Sequence, residues 1–150
     1  MSMRLFFDDL RAGATGAVLR DYQGTFIAAS TTYTPNVSTA AMAEALAMRN
    51  GLAFANSLGY STIEAESDSS DVIESCTGGE TWWSEAAAIF ADCVDYVASI
   101  GTVSLKHCPS KANRVAHVLA RHSFSSKVSC NWVDEPPGFL LDALVNDATI

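Results

Sequence analysis

Hydrophobic and polar positions follow two spacings along this chain, and together they predict a mixed sheet packed against helices. The segments that alternate, and so predict strands, are 17–20, 25–30, 61–66 and 102–107. Apolar positions at helical spacing predict helices over about 39–58, 69–76, 84–100 and 112–124. Gly24 supplies the permissive backbone of a hairpin turn between the first two of these strands. The order of elements therefore indicates an α/β fold.

Asp68 is the first candidate for chemistry, because it lies where a predicted strand ends and a helix begins. The segment 61–66 is β-branched and alternating, whereas Ser69 and Ser70 can cap the free N–H groups of a helix. Open α/β sheets bind their ligands at the carboxyl ends of strands. Asp68 is therefore expected at the mouth of a binding crevice.

Glu44 is a second candidate, since it is the only charged residue in the apolar run 40–48. A buried carboxylate has to be paired, neutral or bound to a metal, because leaving it bare is costly. The alternative is a residue at the rim of the helix that pairs with Arg49 or reaches water. Local sequence leaves both interpretations open.

Composition describes one ordinary globular domain. The chain has 150 residues, of which 49% are hydrophobic and 17% charged. We predict a domain over 1–127 and an irregular tail over 128–150, because the run 136–138 is Pro-Pro-Gly. No apolar run reaches the roughly 18 residues that span a bilayer. Four widely spaced cysteines without a C-x-x-C pair favour reduced thiols and so an intracellular protein, nuclear or cytoplasmic. We presume a monomer.

Charge is unevenly distributed along the chain. The net charge is −8, which argues against strong non-specific binding to phosphate backbones. Residues 51–105 contain nine acids and no Lys or Arg, whereas residues 102–133 contain five bases and no acid. The two blocks are either solvated faces of opposite sign or a metal-binding acidic rim beside a phosphate-binding patch. In the basic block, Arg114 and Arg121 share one face of the last predicted helix, with Lys111 just ahead.

Several ordered phrases of the sequence resemble a known family. They are 16–26 (GAVLRDYQGTF), 43–47 (AEALA), 66–69 (ESDS), 106–107 (KH) and 112–120 (ANRVAHVLA). Their order and spacing are similar to the plant reverse-transcriptase-like ribonuclease H (type 1) domains related to those of non-LTR retroelements. The resemblance implies a ribonuclease H-like fold, with a mixed central sheet and helices on both faces.

The resemblance also implies an activity. The family is a group of endonucleases, hydrolases that cut the RNA strand of RNA–DNA hybrids with Mg²⁺, or Mn²⁺, held by four carboxylates. Glu44 and Asp68 match two of these metal ligands, and His107 matches a histidine that assists proton transfer or product release. Carried over in the same way, the nucleic-acid-binding positions are Lys111, Asn113, Arg114 and Arg121.

Two family positions depart from the carboxylate pattern. Aligning Phe6 and Phe7 with the family places Met3 at the first catalytic Asp, and His117 stands where the last Asp belongs. A neutral imidazole is a poor Mg²⁺ ligand. The same alignment leaves a truncated first strand over 2–7.

These departures make a two-metal site doubtful and keep a second function open. The acids that could substitute for the missing ligands are Asp8, Asp9, Glu66 and Asp71. If none does, the chain is a catalytically impaired ribonuclease H-fold domain of retroelement origin that binds nucleic acid or another partner.

Overall fold

A six-stranded mixed sheet is the centre of the molecule, whose computed structural model describes residues 2–11, 13–69, 72 and 86–147. The strands are β1 (Met3–Leu10), β2 (Ala14–Arg20), β3 (Phe26–Tyr33), β4 (Thr62–Ser67), β5 (Thr102–His107) and β6 (Asn131–Val133). Their order across the sheet is β5-β4-β1-β2-β3-β6. β1 pairs antiparallel with β2 and parallel with β4, and β4 pairs parallel with β5. The carboxyl ends of β1, β4 and β5 therefore meet at one end of the sheet.

Helices cover both faces of this sheet, as predicted. They are α1 (Ala40–Ser57), α2 (Ala87–Ile100), α3 (Arg114–Ser126) and α4 (Leu141–Asp147). α1 and α2 pack on one face around Leu5 and Phe7 of β1, whereas α3 and α4 pack on the other around Phe6. The alternation follows from the two-residue period of a strand. Asp8 has the same parity as Phe6 and so belongs to the face that carries α3.

α3 lies directly against β2 at Gly16. A Cβ atom added at this position would come within 2.7 Å of Leu119 Cβ and 2.8 Å of the Ala120 nitrogen. Real Cβ atoms do not approach other heavy atoms this closely. The absence of a side chain at Gly16 therefore allows the helix backbone to reach the sheet.

β1 is longer than the predicted first strand, which corrects the expectation of truncation. It has eight residues, and its pairing with β2 runs from Arg4 opposite Arg20 to Leu10 opposite Ala14. The alignment on Phe6 and Phe7 placed the end of the strand at residue 7, and this made the strand look short. Backbone pairing does not require apolar side chains, so the strand continues through Asp8 and Asp9.

The C-terminal segment is also more regular than predicted. β6 pairs with β3 through Ala29 opposite Trp132, and the segment continues through a 3₁₀ turn (Gly138–Leu140) into α4. Leu140 and Ala143 are buried against α3. The pairing joins residues about 100 positions apart, so local pattern could not reveal it.

The remaining predicted elements are confirmed where they are described. The hairpin forms β2 and β3, Thr39 caps α1 through a hydrogen bond from the Met42 nitrogen, and α3 follows a 3₁₀ turn (Ser110–Asn113). The predicted helix over 69–76 and the predicted start of the next helix at Ser84 lie outside the described residues. Among the helices that the structure describes, none has both the length and the apolarity to cross a membrane.

Candidate functional site

Acidic side chains from three elements line one cleft of about 610 Å³ at the carboxyl ends of β1 and β4. They are Asp8 and Asp9 from β1, Glu44 from α1 and Asp68, which follows β4. His117 of α3 and Phe124, near the end of the same helix, complete the side opposite α1. The structure thus brings Glu44 and Asp68 together, as the sequence predicted, and adds Asp8 and Asp9.

Asp8 rather than Met3 is the β1 residue that faces this cleft. The parallel register pairs Phe6 with Glu66, so two residues further on Asp8 lies beside Asp68, on the same face. Met3 pairs with Ile63 at the other end of the strand and is 4% exposed in the core. Assigning Met3 to the first acidic position was therefore wrong. The alignment with the family matched the two phenylalanines of the strand, whereas the acidic position lies at the carboxyl end of the strand.

The carboxylates in the cleft repel one another in partly buried surroundings. Burial and, to a smaller extent, the charge of Asp68 raise the pKa of Asp8 to about 6, against the opposing effects of the Asp9 backbone N–H and His117. Burial and the charges of Asp8 and Glu44 raise the pKa of Asp9 to about 7. Burial is the largest cause of both pKa shifts and neighbouring negative charge adds to it, and a bound cation would favour the ionised carboxylates.

His117 contacts this acidic group directly. Its Nδ1 lies 3.1 Å from Oδ2 of Asp8, while Oδ1 of Asp8 accepts a hydrogen bond of 2.9 Å from the Asp9 nitrogen. The His117 side chain is 45% exposed and that of Asp8 is 16% exposed. An imidazole therefore occupies the place where the resemblance calls for a fourth carboxylate.

Asn113 positions α3 rather than a ligand, which corrects its predicted role in nucleic-acid binding. The residue is 1% exposed, and its Nδ2 donates a 2.8 Å hydrogen bond to the Phe7 carbonyl. Its Oδ1 is buried without a hydrogen-bond partner. This bond fastens the start of α3 to β1 one residue before Asp8, and it sets His117 against that carboxylate.

His107 lies beside the cleft rather than in its lining. It ends β5 opposite Ser67, and its Nε2 lies 3.2 Å from the carbonyl oxygen of Asp68. The side chain is exposed. The imidazole is therefore close to the chain segment that carries Asp68.

Two basic residues of α3 share one face of that helix with His117. Arg114, His117, Arg121 and Phe124 follow one another at spacings of three, four and three, which places them in one stripe along α3. Arg114 and Arg121 are exposed, as is Lys111 in the preceding turn. None of these three cations forms a salt bridge within the described ranges 2–11, 13–69, 72 and 86–147. Phe124 is 38% exposed at the edge of the cleft.

The other acids named as possible substitutes differ in position. Glu66 is 6% exposed and forms an ion pair with Arg4 at 2.9 Å, outside the cleft lining. Asp71 lies outside the described residues. Asp8 and Asp9 are the substitutes that reach the cleft.

The carboxylates of the cleft are the type of ligand that a hard divalent cation prefers, but their described arrangement does not form a metal site. In the part of the chain that the structure describes, no three His, Cys, Asp or Glu side chains are arranged to hold a metal ion. Asp8, Glu44 and Asp68 nevertheless offer carboxylate oxygens in one cleft, which are the ligands that Mg²⁺ and Mn²⁺ prefer. His117 is the member of the set that does not fit Mg²⁺.

Phe124 is a site residue that sequence reasoning missed, and Asp8 was named only as a possible substitute for a missing ligand. The signal for Asp8 was present, since two acids follow a strand-like apolar run, the same feature that identified Asp68. Phe124 gave no signal, because an aromatic residue at the end of an amphipathic helix usually belongs to the core.

The fold and its acidic cleft define a ribonuclease H-like α/β domain, and comparison with solved structures agrees. The ribonuclease H1 of Halobacterium salinarum NRC-1 superposes with a TM-score of 0.76 at 22% identity, covering 85% of this chain and 100% of that one. The N-terminal RNase H domain of a Mycobacterium tuberculosis protein gives 0.69 at 19% identity, covering 83% and 94%. LC11-RNase H1 from compost, in complex with an RNA/DNA hybrid, gives 0.67 at 17% identity, covering 84% and 97%.

The chain belongs to the Reverse transcriptase-like family, whose profile matches residues 6–123. That match includes β1 from Phe6 onward, the whole of α1 and α3 as far as Ser123. A search of curated proteins gave no significant match.

Proposed function

We propose that this protein is a metal-dependent ribonuclease H-type endonuclease that hydrolyses the RNA strand of RNA–DNA hybrids. The observation that carries the proposal is the meeting of Asp8, Glu44 and Asp68 in one cleft. Three elements distant in sequence supply these residues, in a chain of the Reverse transcriptase-like family.

The carboxylates account for the hydrolytic step. Asp8, Glu44 and Asp68 would hold Mg²⁺ or Mn²⁺, which activates water and neutralises charge on the scissile phosphate. Asp9 adds negative charge beside them, and the Asp9 backbone N–H holds the Asp8 carboxylate in place. His107 lies next to the Asp68 segment, where it would assist proton transfer or product release.

The stripe on α3 accounts for binding of a polyanion by an acidic protein. Arg114 and Arg121 are exposed cations on the helix that borders the cleft, and Lys111 precedes them. Phe124 offers an aromatic face at the cleft edge, on which a base or sugar can stack. Positive charge beside the acidic group would direct the phosphate backbone across the metal site rather than away from it. A solved relative binds an RNA/DNA hybrid, which supports this class of ligand.

A cleavage assay tests the proposal. We expect the protein to cut an internally labelled RNA strand paired with DNA, to release internal fragments, and to stop when EDTA is added. The same RNA sequence paired with RNA should stay intact, because the enzyme class requires one DNA strand. Equal cleavage of both duplexes, or cleavage that survives EDTA, would contradict the proposal.

A binding domain without turnover is the second candidate, and His117 favours it. This residue places an imidazole where the family has a carboxylate, and it occupies one oxygen of Asp8. Hybrid binding without cleavage in either Mg²⁺ or Mn²⁺ would identify this function.

Arg121 is expected to contribute one phosphate contact. The change Arg121→Gln should weaken hybrid binding several-fold and reduce the slope of log K against log salt by about 1. Fluorescence anisotropy at several salt concentrations measures both quantities. Lys127→Gln, which removes the same charge just beyond the far end of α3, is the matched control and should leave the slope unchanged. If both variants behave alike, the effect belongs to net charge rather than to this stripe.

We also propose that the chain acts as a monomer in the nucleus or cytoplasm and belongs to the plant branch of its family. The matching phrases at 16–26 and 112–120 support the branch, and the wide spacing of the cysteines supports a reducing compartment.

A further inference from the structure

A second cavity, of about 400 Å³, lies between α1 and the side of the sheet that β3 and β6 form. Asn50, Phe54 and Ser57 border it from α1, and their spacings of four and three place them on one face of that helix. Ser30 of β3 and Asn131 of β6, which pair across the two strands, border it from the sheet. Its volume falls within the roughly 300 to 1,000 Å³ of cavities that hold small molecules. Among the described residues, none lines both this cavity and the acidic cleft.

The second cavity is polar but uncharged. None of the described residues that line it is acidic or basic. Its side-chain hydroxyl and amide groups include those of Ser30, Thr32, Asn50, Ser57 and Asn131. A phosphate group or a metal ion would find no opposite charge in this lining, so losing its hydration there would be costly. The lining therefore favours a neutral ligand that has hydrogen-bonding groups of its own.

Each of the two amides is already held at one of its polar atoms. Nδ2 of Asn50 donates a 3.0 Å hydrogen bond to Oγ1 of Thr15, which leaves Oδ1 as an acceptor. Oδ1 of Asn131 accepts a 2.8 Å hydrogen bond from Oγ of Ser30, which leaves Nδ2 as a donor. Within the residues that the structure describes, these two remaining atoms have no hydrogen-bond partner. The lining thus offers an acceptor and a donor on side chains whose positions are fixed.

We propose that the second cavity binds a nucleoside through its uncharged base. The edge of a nucleobase carries donor and acceptor groups side by side, with which an asparagine amide can pair. Its flat faces are apolar enough to lie against Phe54, which lines the cavity from α1. A free sugar lacks such a face and would leave this apolar wall in contact with water. The inference goes beyond the proposed hydrolysis, because no carboxylate of the acidic cleft takes part in it.

Titration of the ¹⁵N-labelled full chain with adenosine, cytidine and uridine, each without divalent metal, tests the site directly. At least one nucleoside should cause saturable NMR shifts of the side-chain NH₂ of Asn131 and the backbone N–H of Phe54. The backbone N–H of Glu44, nearer the start of α1, should not shift. Methyl riboside, which has the sugar without the base, should leave all three signals unchanged. Equal shifts with methyl riboside, or no saturable shift with any of the three nucleosides, would overturn the proposal.

Asn131→Asp is the variant that removes the free donor. It keeps the oxygen that accepts the hydrogen bond from Ser30 but replaces the NH₂ group, so the nucleoside should bind about tenfold more weakly or worse. Asn36→Asp makes the same change at an exposed residue ahead of α1 and should bind like the parent protein. Equal affinities of the two variants would count against the site. Loss of nucleoside binding and loss of hybrid cleavage are separate results, because the titration needs no metal ion.

Discussion

The change Asp8→Asn is expected to reduce metal-dependent cleavage of an RNA–DNA hybrid by at least about 100-fold. Asparagine keeps the shape of the side chain but removes a charge that lies beside Asp68 in the cleft. The loss should come from weaker binding of the cation, so isothermal titration with Mn²⁺ should show it as well as the rate. The fold should survive, because burial raises the pKa of the Asp8 carboxyl and a neutral amide avoids that cost.

Two control variants distinguish the loss of this site from the general effect of changing a charge or a core residue. Asp95→Asn removes an exposed carboxylate on α2, outside the cleft, and should cleave at the parent rate. Met3→Leu tests the alternative placement of the first acidic position, and a volume-conserving change in the core should also leave the rate close to that of the parent. If the Asp8→Asn variant is as active as the Asp95→Asn variant, Asp8 does not belong to the catalytic site.

The change Gly16→Ala is expected to lower the free energy of unfolding by about 2 kcal/mol. A methyl group here meets Leu119 Cβ at 2.7 Å and the Ala120 nitrogen at 2.8 Å, so α3 has to move away from β2. For a chain of this size the melting temperature should fall by roughly 4 to 8 °C. Differential scanning calorimetry measures the shift.

Gly138→Ala is the matched control for that prediction. A Cβ added at Gly138 has no neighbour within 4 Å, so the same chemical change should leave the melting temperature nearly unaltered. Because α3 carries His117, whose ring contacts the cleft residue Asp8, Gly16→Ala should in addition weaken Mn²⁺ binding. If the two glycine variants melt at the same temperature, the packing of α3 on β2 is looser than described.

Sequence pattern predicted the elements that depend on neighbouring residues. The start of α1 was predicted at about residue 39 from the hydroxyls of Ser38 and Thr39 and the apolar run that follows, and the β2–β3 hairpin was predicted from alternation around Gly24. Glu44 and Asp68 were found because a charged residue in an apolar run or at a strand end is unusual wherever it occurs. Each of these features is visible within about ten residues.

Features that depend on distant partners were not predictable in this way. β1 extends through Asp8 because β2 pairs with it, and β6 exists because β3 presents an edge. Asparagine is usually found at the surface, and only the hydrogen bond to the carbonyl of Phe7 explains why Asn113 is buried. The same limit placed Met3 at the position of the first catalytic Asp, since register across strands is absent from a linear sequence.

The hydrogen bond between His117 and Asp8 joins residues 109 positions apart in the chain. During synthesis at about 5 to 20 residues per second, Asp8 would leave the ribosome roughly 5 to 20 s before His117. Through that interval β1 carries its acids without the helix that completes the cleft. The cleft therefore forms late in translation, only after α3 has docked on β2.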